Sequence, residues 1–164
     1  MKKVLFLFTL FFTLITISGQ SLLDTLEDFD DVSSFIMTKD AFELIKKFPN
    51  AKSEDMEVFN MAKDLNELKV FSSDNSEMAM KMESVVNNII KKSNLTQLMR
   101  ANDKDSKVKI YVKATQNQDL FSEVLMFVKN KYTKDKKQSI IVSLTGKIDV
   151  NKLSQIANKY SNNK

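Results

Sequence analysis

The stretch "LTQLMRANDKDSKVKIYVKATQNQDLFSEVLMFVKNKYTKDKKQSIIVSLTG", Leu95 to Gly146, decides the fold class, because its apolar residues recur with a period of 2 rather than 3.6. Four strand candidates, "LTQLMRA", "KVKIYVKAT", "LFSEVLMFVKN" and "QSIIVSLTG", are joined by "NDKDS", "QNQD" and "KYTKDKK", all rich in turn formers. Joins this short favour an antiparallel meander. In the second strand the alternation assigns Val108, Ile110, Val112 and Ala114 to the core and Lys107, Lys109, Tyr111 and Lys113 to solvent.

Upstream of this stretch the period changes. "DNSEMAMKMESVVNNIIKK", Asp74 to Lys92, reads as a helix, with Asp74 and Glu77 in a capping-box pattern and Met78, Met82, Val85 or Val86, and Ile89 at helical spacing. Lys91 and Lys92 suit the negative end of its dipole. "NELKVFSS" before it reads as a strand, as does "VSSFIMT" from Val32 to Met37. Thr38 then caps a helix through Phe48 that shows Ala41, Ile45 and Phe48 on one side, has Met37 and Phe42 as a staple pair, and is stopped by Pro49. Met56, Phe59 and Ala62 suggest a further short helix.

"SLLDTLEDFDD", Ser21 to Asp31, sets Leu22, Leu23, Leu26 and Phe29 among five carboxylates, as a short amphipathic helix or mobile arm with a solvated acidic face. It lacks the ligand spacing and glycine of a calcium loop. Downstream, Gly146 ends the last strand in a conformation a side chain would resist. Asp149 then caps a helix bearing Val150, Leu153, Ile156, Ala157 and Tyr160, and the tail from 161 to 164 is polar. The expected architecture is a single α+β domain over 32–160, preceded by an acidic segment at 20–31. Its mainly antiparallel sheet carries the helices near 39–48, 75–91 and 150–160 on one face, since each shows a single apolar stripe.

The first residues, "MKKVLFLFTLFFTLITISGQS", have the layout of a secretory signal peptide, with cleavage expected after Gly19 or Gln20. The apolar run from Val4 to Ile17 is shorter than the roughly 20 residues of a membrane-spanning anchor. Without cysteine there is no disulfide, no thiolate site and no lipid-attachment residue, so the expected product is exported, periplasmic or secreted, and not a lipoprotein. Removing Lys2 and Lys3 from 25 basic residues leaves 23 against 21 acidic ones, and the net charge drops from +4 to +2. With Arg100 as the one arginine, nucleic acid is not an expected partner.

Histidine is absent, which removes the common general base and zinc ligand. Gly146-Lys147 is followed by Ile148 and has no glycine upstream in the loop, so neither a phosphate loop nor a dinucleotide fingerprint is present. Asp103 and Asp105 stand two apart, but in a segment where a hairpin must turn. The methionines of the long helix occupy its periodic apolar face and read as core rather than as soft metal ligands. No catalytic, cofactor or metal residue is assigned. What stands out is the lysine-bearing sheet surface, Lys107, Lys109, Tyr111 and Lys113, together with Lys129 and Lys131 at the start of a basic loop. These can meet an envelope protein or an anionic membrane surface, or simply protect a sheet edge and a solvated hairpin tip. The expected function is a non-catalytic binding or accessory module; the alternative is a hydrolase using carboxylates and lysines that no spacing marks.

Taken in order, the leader, "VSSFIMTKDAFELIKKF", "LNELKVFSSDN", "LTQLMRANDKDSKVKIYVK" and "IIVSLTGKIDVNKLSQIANKY" resemble the domain of unknown function 4252 family of small exported Bacteroidota proteins. The resemblance implies an exported α+β domain, in many members a lipoprotein, and by genomic association a role near envelope stress or sigma-factor signalling. It supplies no catalytic residue. This chain departs from the lipoprotein members in lacking the lipid-bearing cysteine.

Overall fold

The computed structural model describes residues 22–45, 47, 64–117, 119–131 and 139–149. The expected signal peptide, the helices around Met56 and over 150–160, the tail and most of the basic loop lie outside the described residues. Six strands form one antiparallel sheet: β1 (Ser33–Thr38), β2 (Leu65–Ser73), β3 (Thr96–Asn102), β4 (Ser106–Ala114), β5 (Leu120–Asn130) and β6 (Ser139–Asp149). Their order is β1-β2-β6-β5-β4-β3, so the meander β3 to β6 occupies one side and β2 and β1 extend it beyond β6. Two α-helices are described, α1 (Lys39–Ile45) and α2 (Ser76–Ser93).

Helix α2 lies across the sheet because its stripe of Met78, Ala79, Met82, Val86 and Ile89 is apolar at every turn. That stripe meets Phe71 of β2, Ile141 of β6, Leu125 and Phe127 of β5 and Tyr111 of β4 in one buried cluster. Ser139, fully buried, donates its hydroxyl hydrogen to the Met82 thioether at 3.0 Å, which satisfies that hydroxyl beneath the helix. The helix starts one residue later than the capping box implied. Asn75, not Asp74, is the N-cap, and its Oδ1 accepts the N–H groups of Glu77 and Met78 at 2.8 and 3.3 Å. Its Nδ2 donates to Asp31 at 2.7 Å, so the cap also ties down the N-terminal segment. Asn75→Ala is therefore expected to cost about 1 kcal/mol in a urea unfolding curve. Asn94 closes α2 in a left-handed conformation (φ 53°) and returns its N–H to the Ile90 carbonyl.

In β4, Val112 is buried and Lys107 and Lys113 are exposed, as expected, but Tyr111, expected in solvent, is core. Tyr111 is buried under α2, and Lys109 points to the same side, whereas Val112 joins Phe121, Val124 and Ile148 in a second cluster flanked by Ile110, Leu65 and Leu144. Ala114 is exposed. Strict alternation identifies two faces without saying which one receives the helix, and here both carry apolar side chains.

Of the two readings of the acidic segment, the short amphipathic helix holds and the mobile arm does not, and Glu27, Asp28, Asp30 and Asp31 are exposed as expected. Leu23 and Leu26 are 3% and 0% exposed, Leu22, Phe29 and Val32 pack beside them, and a short turn of 3-10 helix spans Asp24–Leu26. Asp24 reaches the buried Lys69 of β2 at 2.6 Å, and Glu67 lies 3.2 Å from the same ammonium. Burial alone would lower the Lys69 pKa; the hydrogen bonds to Asp24 and Glu67 outweigh it and leave it raised.

Candidate functional site: a basic cleft beside helix α2

The turn "NDKDS" positions the site. The Asp103 side chain accepts the Lys104 N–H, the Asp103 N–H donates to the Ser106 carbonyl at 2.8 Å, and the Lys131 N–H donates to the Asp105 carbonyl at 2.9 Å. The β3–β4 hairpin and the end of β5 are thereby locked together. Register then dictates the neighbours: Arg100 stands opposite Lys109, Asn102 opposite Lys107, and Lys107 opposite Lys129. These side chains and Glu83 of α2 line a cleft of about 710 Å³, together with Phe127, Asp103, Lys104, Asp105 and Lys131.

One carboxylate serves two of these cations. Glu83 Oε1 lies 3.2 Å from Lys109 Nζ and Glu83 Oε2 lies 3.0 Å from Lys129 Nζ. The Glu83 pKa is held below the usual carboxylate range, first by the Lys129 hydrogen bond and then by Lys109, against an opposing effect of burial. Arg100, Lys104, Lys107 and Lys131 have no acidic partner within ion-pair distance among the described residues. Two of the cross-strand pairs, Arg100 with Lys109 and Lys107 with Lys129, set like charges directly opposite one another, an arrangement that destabilises a sheet.

Four of the six positions singled out in the sequence, Lys107, Lys109, Lys129 and Lys131, therefore share one cleft. Tyr111 does not belong to it, being core, and Lys113 is exposed at the far end of β4 beside Glu123. Arg100 and Glu83 were not among the expected residues. Counting back from the turn would have placed Arg100 opposite Lys109, whereas Glu83 becomes visible only when α2 is laid on the sheet.

Gly146 lies outside the cleft. It takes φ +133° within β6, which continues three residues further to Asp149, so it does not end the strand. Opposite it the β2 register shifts between Leu65 and Glu67, and the next N–H, that of Lys147, donates to the Asp64 carbonyl at 2.9 Å. Asp149 pairs with Leu120 as the last residue of the strand, and the helix it was expected to cap lies outside the described residues.

A family model described as "Domain of unknown function (DUF4252)" matches residues 26–156. The chain belongs to that family. The match begins at Leu26, so it takes in the fully buried leucine of the N-terminal segment as well as all six strands. No curated protein and no solved structure matches the chain.

Two carboxyl groups near this sheet respond to pH in opposite senses. Glu83 is lowered, so its contribution to stability is complete above the ordinary glutamate range and is lost as pH falls through its folded value. Glu123 is raised, first by burial, with Lys113 opposing; its contribution is complete at low pH and is lost as pH rises through its folded value. At neutral pH, Glu83→Gln should lower stability by less than about 1 kcal/mol and Glu123→Gln should raise it. Both differences should vanish in urea curves taken in acid, below both folded values.

Proposed function

We propose that this protein is an exported, non-catalytic binding module of the cell envelope whose basic cleft takes up an anionic group of a partner. The observation that carries the reading is the pair of like-charge juxtapositions on one face of the sheet, Arg100 with Lys109 across β3 and β4 and Lys107 with Lys129 across β4 and β5. Such pairs cost stability, and a fold tolerates them where something else gains, as at a site that meets negative charge. Of the two partners expected, an acidic protein segment fits better than a bilayer. The cleft is concave, a shape that admits a narrow segment of chain more readily than a broad planar surface. Export rests on the leader, and an accessory role in envelope signalling rests on family association alone.

The test is the variant Arg100→Ser/Lys107→Ser against a fluorescent hexaglutamate peptide and against vesicles containing phosphatidylglycerol, at low and at physiological salt. The peptide should bind the wild type in a salt-dependent way and the variant about tenfold more weakly. The variant should also melt at the same temperature or higher, since relieving like-charge pairs stabilises the sheet while it removes function. Equal binding by both proteins would sink the reading. N-terminal sequencing of the exported protein, expected to begin at Gln20 or Ser21, tests the localisation.

A further inference from the structure

Within the cleft, the Glu83 carboxylate does what a ligand would do. It is presented by a separate element, α2, enters from above the sheet, and places one oxygen on Lys109 and the other on Lys129, on adjacent strands. Those two lysines are thereby shown to be spaced to grip a single carboxylate between them. Around that occupied position lie Arg100 and Lys107, each directly across a strand pair from one of the gripped lysines and each without an acid of its own among the described residues. The cleft is thus built as an array of four neighbouring cations of which two are already satisfied by the chain itself.

Resting on the anion-binding reading above, we infer that the ligand is a peptide segment bearing several carboxylates, and that Glu83 is an internal placeholder which such a segment displaces from Lys109 and Lys129. A lone carboxylate gains little by exchange, because it replaces a tethered group that is already in place. A segment with two or more acids gains the uncompensated Arg100 and Lys107 as well, and the second contact is made at the effective concentration set by the first. Glu83 therefore sets a threshold: it lowers affinity for every anion and rejects sparsely charged ones. Its partial exposure, 31% of the side chain, leaves it free to swing outward when displaced.

The placeholder and the obvious alternative predict opposite signs. If Glu83 competes with the ligand, Glu83→Gln should bind hexaglutamate about fivefold more tightly than wild type, the factor that corresponds to the roughly 1 kcal/mol of a partly exposed ion pair. The same variant should also begin to bind diglutamate, which the wild type should bind only weakly. If Glu83 instead holds the lysines in position for the ligand, the variant binds equally or more weakly, and the inference is overturned while the cleft reading stands. If neither protein binds any acidic peptide, both fall. Binding of phosphatidylglycerol vesicles without binding of peptide overturns the peptide assignment. A second measurement needs no variant: at constant neutral pH, saturation of labelled wild-type protein with hexaglutamate should move the Glu83 carboxylate carbon-13 resonance towards that of free glutamate, and an unmoved resonance would show that the residue is not displaced.

Discussion

Replacing Gly146 with valine is expected to cost more than about 3 kcal/mol and to leave little folded protein at physiological temperature. The reason is local and has two parts. At φ +133° a residue with a side chain is strained whatever surrounds it, and a Cβ built there would stand 2.6 Å from the Asp64 carbonyl oxygen, 2.7 Å from the Asn66 nitrogen and 2.7 Å from the Leu65 Cα. All three are backbone atoms, two at the start of β2 and one in the residue just before it, so no rotamer change relieves the contact. Relief would require β2 to move off β6, and with it the Lys147 to Asp64 hydrogen bond and the pairing of Leu65 with Gly146. Gly146→Ala should accordingly be nearly as damaging as valine. Asp149→Ala should cost at most about 2 kcal/mol, even if the residue caps a following helix. Urea unfolding of the three variants orders them, and an alanine variant within 1 kcal/mol of wild type would show that the strands can separate locally without loss.

What could be read from the chain, and what could not, follows from which interactions are local. The six strands and α2 were legible because each advertises its own period, and the turns between them contain the residues that turns require. Asn75 and Asp74 are both competent caps one position apart, and only the geometry of entry into α2 selects Asn75. Which face of β4 receives α2 was not legible, because "KVKIYVK" offers apolar residues at one parity and Tyr111 at the other, and the choice is made by where α2 lands. The cleft was half legible. Lys107, Lys109, Lys129 and Lys131 were conspicuous as lysines, but their convergence depends on the register of β4 with β5, and Glu83 is brought to them from 26 residues before Lys109. The acidic segment was partly legible for a related reason. Four of its five carboxylates, Glu27, Asp28, Asp30 and Asp31, are exposed as read, whereas Asp24 reaches an ammonium that lies in β2, 45 residues away.

That segment gives the second large expected effect. Leu26→Ala should destabilise the domain by about 2 to 5 kcal/mol, as truncation of a fully buried leucine does when the surroundings cannot collapse around it. Collapse is hindered on several sides. Leu26 shares a cluster with Leu23, Phe71 and the apolar stripe of α2, and the segment is held at fixed height by Asp24 on Lys69 and by Asp31 on the Asn75 side chain. Farther along, Lys81 lies over the Phe29 ring, 5.2 Å from its centre. Asp24→Asn should be costly for a different reason, because Lys69 is 6% exposed and would retain only Glu67, at the longer distance, as a charged partner. The two substitutions test one proposition, that the folded unit starts at the N-terminal segment and not at β1. If Leu26→Ala melts within a degree or two of wild type, the segment is a detachable arm after all. If it melts far lower, while a protein shortened to begin at Val32 fails to fold, the acidic stretch is as much a part of the core as α2.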